Sequence, residues 1–506
     1  LGRTQRVVDA EGRYSLTTFD DVGRVTRLER FDASDDRLYL QEAKWDDNSR
    51  KTRDIAYTDA TTLGGAQHTR YGYDRANRLT IRIMPDSDDA IVSGGGDDAT
   101  ATNGTDTVYD RTDITFDANG NPISVKDPGG NEFTNTFDKA NRLTAQSVSL
   151  GTGFVGGTSA TFTYDPLNRL TQAENSVSIV ERSYDDLSRL TAEVQRLSGL
   201  AGSAVTFAYD YDLSGNRTEL VVTSDSGTDL DVEYVPDALH RLRAMHSLSI
   251  LNNEIFITEP LVIDYFGYRR QRKLLNVVSG TPLTTLEYGY DVKSRLTSMN
   301  WLDAASGPLV AGFEYAYNKV DVPQWERWLH DEGRYDHFMH DDLDQVTGVY
   351  YRSHTSTAPS AEDTFRYDSN FNRVGSGSDY GMDAQDPFQL WSRQQANYTV
   401  EPDNAYSAIS GFGAGAVHDK NGNLVQGPAV RPTGSYAQAA AQFEWTAWNQ
   451  VHRVDFDNNS EHYRYDALGR RVLTIEALTT TGIALVESMQ GFFVEVIDAM
   501  QHHLYD

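Results

Sequence analysis

One turn signature, recurring in phase along most of the chain, constrains the fold more than any other feature. Residues 164–171 (YDPLNRLT) show it complete: an aromatic, an Asp, two variable positions, a Gly, Asn or Ser, then Arg-Leu-Thr. Residues 73–80 (YDRANRLT), 137–144 (FDKANRLT), 184–191 (YDDLSRLT), 290–297 (YDVKSRLT) and 465–472 (YDALGRRV) repeat it. A type I turn favours Asp at its first position, accepts Pro at its second and favours Gly at its fourth. When such a turn closes a hairpin through a bulge, the fourth residue is left-handed, which Gly and Asn adopt most easily. Asp74, Asn77, Asp138, Asn141, Tyr164, Asp165, Asn168, Asp185, Asp291, Asp466 and Gly469 are therefore assigned as structural turn residues.

The spacing of these turns defines the architecture. Asp138, Asp165, Asp185, Asp212, Asp237, Asp264, Asp291, Asn318, Asp341 and Asp368 are separated by 20 to 27 residues, most often 27. The phase returns at Asp419, Thr446 and Asp466. A chain that leaves one such turn and arrives at the next must reverse midway. Loop-forming clusters at 198–202, 224–227, 251–253, 279–282 and 306–308 stand where that reversal is due. Each period is thus two strands, one recurrent turn and one variable turn, and self-similarity at this period indicates a repeat architecture.

Residues 160–164 (ATFTY) and 205–209 (VTFAY) alternate small or polar residues with aromatic ones, as half-buried strands do. The expected fold is all-β: a continuous antiparallel hairpin-repeat sheet. Roughly thirty strands at about 4.8 Å each give a ribbon on the order of 150 Å wide. Open sheets of more than about ten strands curl or split, so this one is expected to coil into a hollow spiral and cover most of its edges. No linker breaks the phase, so residues 1–506 are read as a single array. Two stretches depart from it: an Asp-rich loop insertion at 85–113 and an irregular Gly-rich insertion at 375–431. Residues 436–448 (YAQAAAQFEWTAW) are rich in Ala and are expected to form a short helix.

The repeated motif resembles the YD-repeat, or RHS-repeat, family of large secreted and cell-surface proteins, from residues 8–13 (VDAEGR) to residues 465–470 (YDALGR). The resemblance implies a spiral β-shell. In bacterial members such a shell encloses a C-terminal toxin or other cargo, and in animal teneurins it belongs to adhesion proteins. It thus implies a non-enzymatic structural shell, extracellular or at the cell surface, whose partner is its own C-terminal cargo. An extracellular adhesin or carbohydrate-binding scaffold, with glycans as partners, is the alternative. Family shells that process their own C-terminus carry an Asp-Pro-x-Gly type motif. None precedes Asp506, so no protease residue is assigned and the chain reads as an internal fragment.

The residues themselves offer little chemistry. There is no Cys, hence no disulfide, thiol nucleophile or thiolate metal site. The net charge of −29 disfavours nucleic acid, whose phosphates an acidic surface repels. No apolar run reaches membrane-spanning length. Residues 151–156 (GTGFVG) match GxGxxG, but a strand-like segment follows where a nucleotide site needs a helix, so they read as a hairpin loop. Residues 117–121 and 419–423 open like EF-hand loops, yet Pro128 and Val430 occupy the twelfth places where Glu is required. No GxSxG element appears.

His330, His337 and His340 beside Asp331, Asp336, Asp341 and Asp342 have the composition of a metal site but fall in phase with an ordinary turn. The Asp-rich insertion has the better claim on calcium; no other cofactor is expected. Four glycosylation sequons occur, at Asn103, Asn216, Asn397 and Asn458.

Overall fold

In the computed structural model, residues 3–84, 111–380, 394–409 and 417–488 are described, apart from short loop gaps. These residues form forty strands and no helix, arranged in a 32-stranded and an 8-stranded sheet. All of these strands but Phe154–Val155 pair antiparallel with at least one chain neighbour. The break between the sheets falls between the strands Tyr406–Ile409 and Val417–His418. Among the described residues, no helix is long and apolar enough to cross a membrane.

The recurrent turn dictates the register. In the units that continue Arg-Leu-Thr the aromatic pairs with that Leu, and the pairing slips by one residue just before the aromatic. Thus Tyr164 faces Leu170, Tyr184 faces Leu190 and Tyr290 faces Leu296. That slip is a bulge whose extra residue follows the partner of the aromatic, as Thr171 follows Leu170, while the left-handed residue stands three positions earlier, in the turn itself. Asn77, Asn141, Asn168, Ser188 and Ser294 have φ between 61° and 70°, and Gly469 has φ 84°.

The wall is one sheet thick over most of its area, so most strand residues are half-buried. The strands Val205–Tyr211, Arg217–Ser224 and Gly227–Pro236 show its two faces. Phe207, Leu220, Val222 and Val232 are buried together on one face, with Val205, Tyr209, Leu230 and Tyr234 packed against them. Cross-strand pairs Phe207–Val222, Tyr209–Leu220 and Leu220–Val232 bring these side chains together. On the other face Glu219 sits opposite both Asp210 and Glu233. A hydrogen bond shared with Asp210, together with burial and the neighbouring carboxylates, pushes the Glu219 carboxyl above the usual range.

The sheet returns on itself. Arg13 meets Asp342 and Asp344, and Ser369 bonds Thr58 and Ala60. Asn421 bonds Asp127 and Gly129, Trp448 bonds Gln146, and Arg470 meets Glu193. The sequence offset across these contacts falls from 331 residues at the Arg13 end to 277 at the Arg470 end. Recurrent turns of the later coil thus rest on the opposite edge of the earlier one. This is a spiral, and its circuit shortens along the chain.

Three expectations need correction. Tyr436–Thr446 is a strand, not the start of a helix: residues 442–445 pair with the strand Val451–Phe456, and residues 426–428 pair on the other side. Two flanking ladders outweigh a few tenths of a kcal/mol per residue of Ala preference. The interval 375–431 is not wholly irregular, since it carries the strands Gln394–Val400, Tyr406–Ile409 and Leu424–Val430. The insertion at 85–113 ends earlier than expected, because Arg111–Phe116 is a strand and Asp113 pairs with Ile81. Asp264, Asp419, Asn103, Asn458, residues 85–110 and residues 411–415 lie outside the described residues.

Candidate functional site: the turn ladder and the seam between coils

Each recurrent turn uses its Asp twice. One Asp165 carboxylate oxygen accepts the N–H groups of Leu167 and Arg169, at 2.9 and 3.0 Å. The other accepts Nε of Arg169 at 2.6 Å. The backbone closes the same loop, with Asp165 N–H donating to the Arg169 carbonyl and Asn168 N–H to the Asp165 carbonyl. Asp74, Asp138, Asp291 and Asp466 repeat the arrangement with Arg78, Arg142, Arg295 and Arg470. Asp185 does so with Arg189. The Arg169 N–H, followed by its guanidinium, holds the Asp165 carboxyl below the usual carboxylate range, and the Arg142 N–H does the same to Asp138.

The Arg then reaches forward. Arg142 donates to the Asp165 carbonyl at 3.1 Å and to the Asn168 side chain at 2.9 Å, while its guanidinium lies 4.9 Å from the Tyr164 ring centroid. Tyr164 answers by donating its hydroxyl to the Leu143 carbonyl at 3.0 Å. The same reciprocal contact joins Arg169 to Tyr184, Arg189 to Tyr211 and Arg295 to Tyr317. Asp, Arg and aromatic are therefore one unit: the Asp fixes its own turn, and the Arg carries that order to the next. Where Asn replaces the Arg, at Asn121 and Asn216, it keeps the bond to its Asp and reaches the next turn through a side chain, Asn141 or His240. The Asn216 amide is thus engaged within the ladder.

Across the seam the same residue types change partner. Arg470 holds Asp466 at 2.8 Å through Nε and donates a second N–H to Glu193 at 2.6 Å. Glu193 also accepts from Arg182 at 2.7 Å, and Gln195 donates to Asp466 at 3.3 Å. The side chains of Glu193 and Asp466 are 5% and 0% exposed, so both carboxylates depend on these donors. At the other end Arg13 holds Asp9 at 2.7 Å and Asp344 at 2.8 Å. Between them, the Gly-rich segment contributes a short strand, Phe154–Val155, paired parallel with Trp445 and Thr446 of the later coil. The segment has no helix to follow it and serves as a strap. A Cβ on Gly151 would lie 2.0 Å from the Gly129 carbonyl oxygen, so only glycine fits there.

No family model matches the chain, and no curated protein matches it. Solved structures do. The chain is similar to the Tc holotoxin pore of Photorhabdus luminescens with a TM-score of 0.69 at 13% identity, covering 94% of this chain and 24% of that one. It is similar to TcdB2-TccC3 with a TM-score of 0.61 at 14% identity, covering 95% of this chain and 30% of that one. For the TcdB2-TccC3-Cdc42 complex the TM-score is 0.60 at 14% identity, covering 95% and 29%. The chain has the YD-repeat β-shell fold. It spans about a quarter of the length of the chains it matches, and at such identity the likeness is one of fold.

Within this YD-repeat shell the His cluster is dispersed into ordinary roles. His330 stacks on Trp328 at 5.6 Å and shares its Nδ1 with Gly312. His337 lies within the strand Arg334–His340, which His340 ends. Asp336 pairs with Arg334 at 2.9 Å. Among the described residues, no group of three or more His, Asp or Glu could hold a metal ion. The seam partners are what sequence reading missed. Glu193 gave the one available signal, a carboxylate facing Phe207 on the apolar side of the wall.

Proposed function

We propose that the chain is the non-enzymatic wall segment of a secreted YD-repeat shell, and that the wall encloses a C-terminal cargo such as a toxin domain of the same polypeptide. The seam carries this reading. A sheet that closes on itself with buried ion pairs and a parallel strap separates an inside from an outside, which an open adhesive ribbon would not need. The ladder supports it as well, because Arg, Asp and aromatic groups are consumed in joining neighbouring turns and leave no convergent catalytic set among the described residues. The Tc toxin complexes of similar fold are consistent with a toxin context, and an extracellular location follows from the same reading.

Electron cryomicroscopy of the shell in its native polypeptide tests it. Ordered or diffuse density inside a closed wall is the expected result. An empty wall whose outer face captures glycans overturns enclosure and favours the adhesin.

A further inference from the structure

Where the Gly-rich strap meets the later coil, the seam leaves a cavity of about 90 Å³, several times what one water molecule needs. The earlier coil contributes Gln146, Gly156 and Asn175, and the later coil Trp448, His452 and Arg464. Most polar groups around it are already spent. Gln146 accepts from Trp448 and donates to Asn135, and Asn175 donates to the Tyr465 carbonyl. The Asp466 carboxylate is filled by Arg470, Gln195 and two backbone N–H groups.

Arg464 differs from the arginines of the ladder. Its contacts are the Tyr463 carbonyl at 2.9 Å and His452 Nε2 at 3.4 Å, both through one guanidinium nitrogen. Among the described residues it has no carboxylate partner. The nearby acids are committed elsewhere: Glu461 to Tyr463, Asp455 to Arg453, and Glu444 to Arg453 at 3.9 Å. A guanidinium can only donate, so in this contact His452 Nε2 accepts and the imidazole proton is assigned to Nδ1. That atom lies 3.6 Å from where a Cβ on Gly156 would sit, so the donor faces the strap. Burial and the Arg464 charge hold the His452 pKa below its ordinary value. Among the unspent groups of the cavity are thus two hydrogen-bond donors, one of them a cation, in a chain of net charge −29.

The geometry points to a binding site for a small carboxylate at this seam cavity, with the Arg464 guanidinium as the fork and His452 Nδ1–H as the second donor. A guanidinium matches a carboxylate through paired N–H bonds. The cavity admits one such group, carried by a sugar acid or by an acidic side chain. Because the ligand touches both coils, it clamps the strap to the later coil and raises thermal stability as it saturates.

The test is titration calorimetry of the chain with sodium glucuronate and with N-acetyl-aspartate amide, using glucose as the neutral control. Saturable binding of either carboxylate but not of glucose is expected, weakened about tenfold or more, roughly 1.4 kcal/mol, by Arg464→Gln. Arg453→Gln, a cation outside the cavity, should leave it unchanged. Glucuronate alone identifies a sugar acid, acetyl-aspartate amide alone an acidic side chain, and both together the bare carboxylate. If Arg464→Gln does not fold, His452→Gln supplies the same comparison. Absence of saturable binding to both probes at tens of millimolar, or equal affinity in the folded variant, overturns the site.

Discussion

Arg470 and Glu193 stand 277 positions apart in the chain and meet at 2.6 Å, a guanidinium of the later coil on a buried carboxylate of the earlier one. In a ladder where most Arg serve their own turn and the next, this contact, like that of Arg13 with Asp344, fixes which part of the wall a later turn rests upon. Arg470→Ala should therefore leave Glu193 with Arg182 alone and cost about 1–3 kcal/mol, the lower part of the range reflecting the partial exposure of Arg470. A double-mutant cycle with Glu193→Gln, read by urea denaturation, should show coupling. Additive losses would mean the contact carries no energy.

Asn168 tests the turn itself. It is left-handed at φ 64° and also accepts Arg142 at 2.9 Å. Asn168→Val forces a β-branched residue into that conformation and should cost about 1–3 kcal/mol, whereas Asn168→Gly removes the strain and loses only the side-chain bond. Thermal unfolding separates them. An unchanged midpoint for Asn168→Val would show that the left-handed assignment is wrong.

Acid should loosen the ladder. Asp74, Asp138 and Asp165 are each held below the ordinary carboxylate pKa, first by the N–H of the Arg four residues on and then by its guanidinium. A lowered native pKa means the folded state binds protons less readily than the unfolded one. The stabilisation is therefore complete above the unfolded carboxylate pKa and disappears as pH falls through the native values. Urea midpoints measured from neutral pH downward should stay level and then drop below about pH 4, and Asp165→Asn should make the drop shallower. A midpoint that rises on acidification would contradict the assignment.

The Gly-rich strap gives a local prediction. In Gly151→Ala the new methyl meets the Gly129 carbonyl oxygen at 2.0 Å, and backbone cannot yield as a side-chain tip can. A loss of about 1–3 kcal/mol is expected. Gly157→Ala, whose nearest neighbour is the Ser176 hydroxyl at 3.3 Å, should be milder. Equal effects would show that the strap is not closely packed on its neighbour.

These contrasts show what the sequence could reveal. The turn was legible because its physics is local: Asp165, Arg169 and Asn168 lie within five residues, and each type is chosen by a backbone conformation or a nearby N–H. The pairing of Arg142 with Tyr164 follows from the same repeat, which places one turn beside the next. The strand Tyr436–Thr446 was misread because short Ala-rich stretches suit a helix in isolation, and only the flanking strands decide otherwise. The seam was hidden for a different reason. Arg13 and Asp344 are ordinary ladder residues in sequence, and their contact depends on the circumference of the coil, a sum of many small twists between strands that no single motif records.

The most direct measurement of the coil uses the absence of native cysteine. Val155 and Thr446 are paired partners on adjacent parallel strands, one from each coil, so their Cα atoms should be about 4.8 Å apart, within disulfide reach. In the Val155→Cys, Thr446→Cys double variant, mild oxidation should give one intramolecular disulfide in near-complete yield, seen as a faster-migrating monomer on a non-reducing gel. Failure of this pair to close in folded protein, or equal closure by a Val155→Cys, Val472→Cys control, would contradict a wall wound in register upon itself.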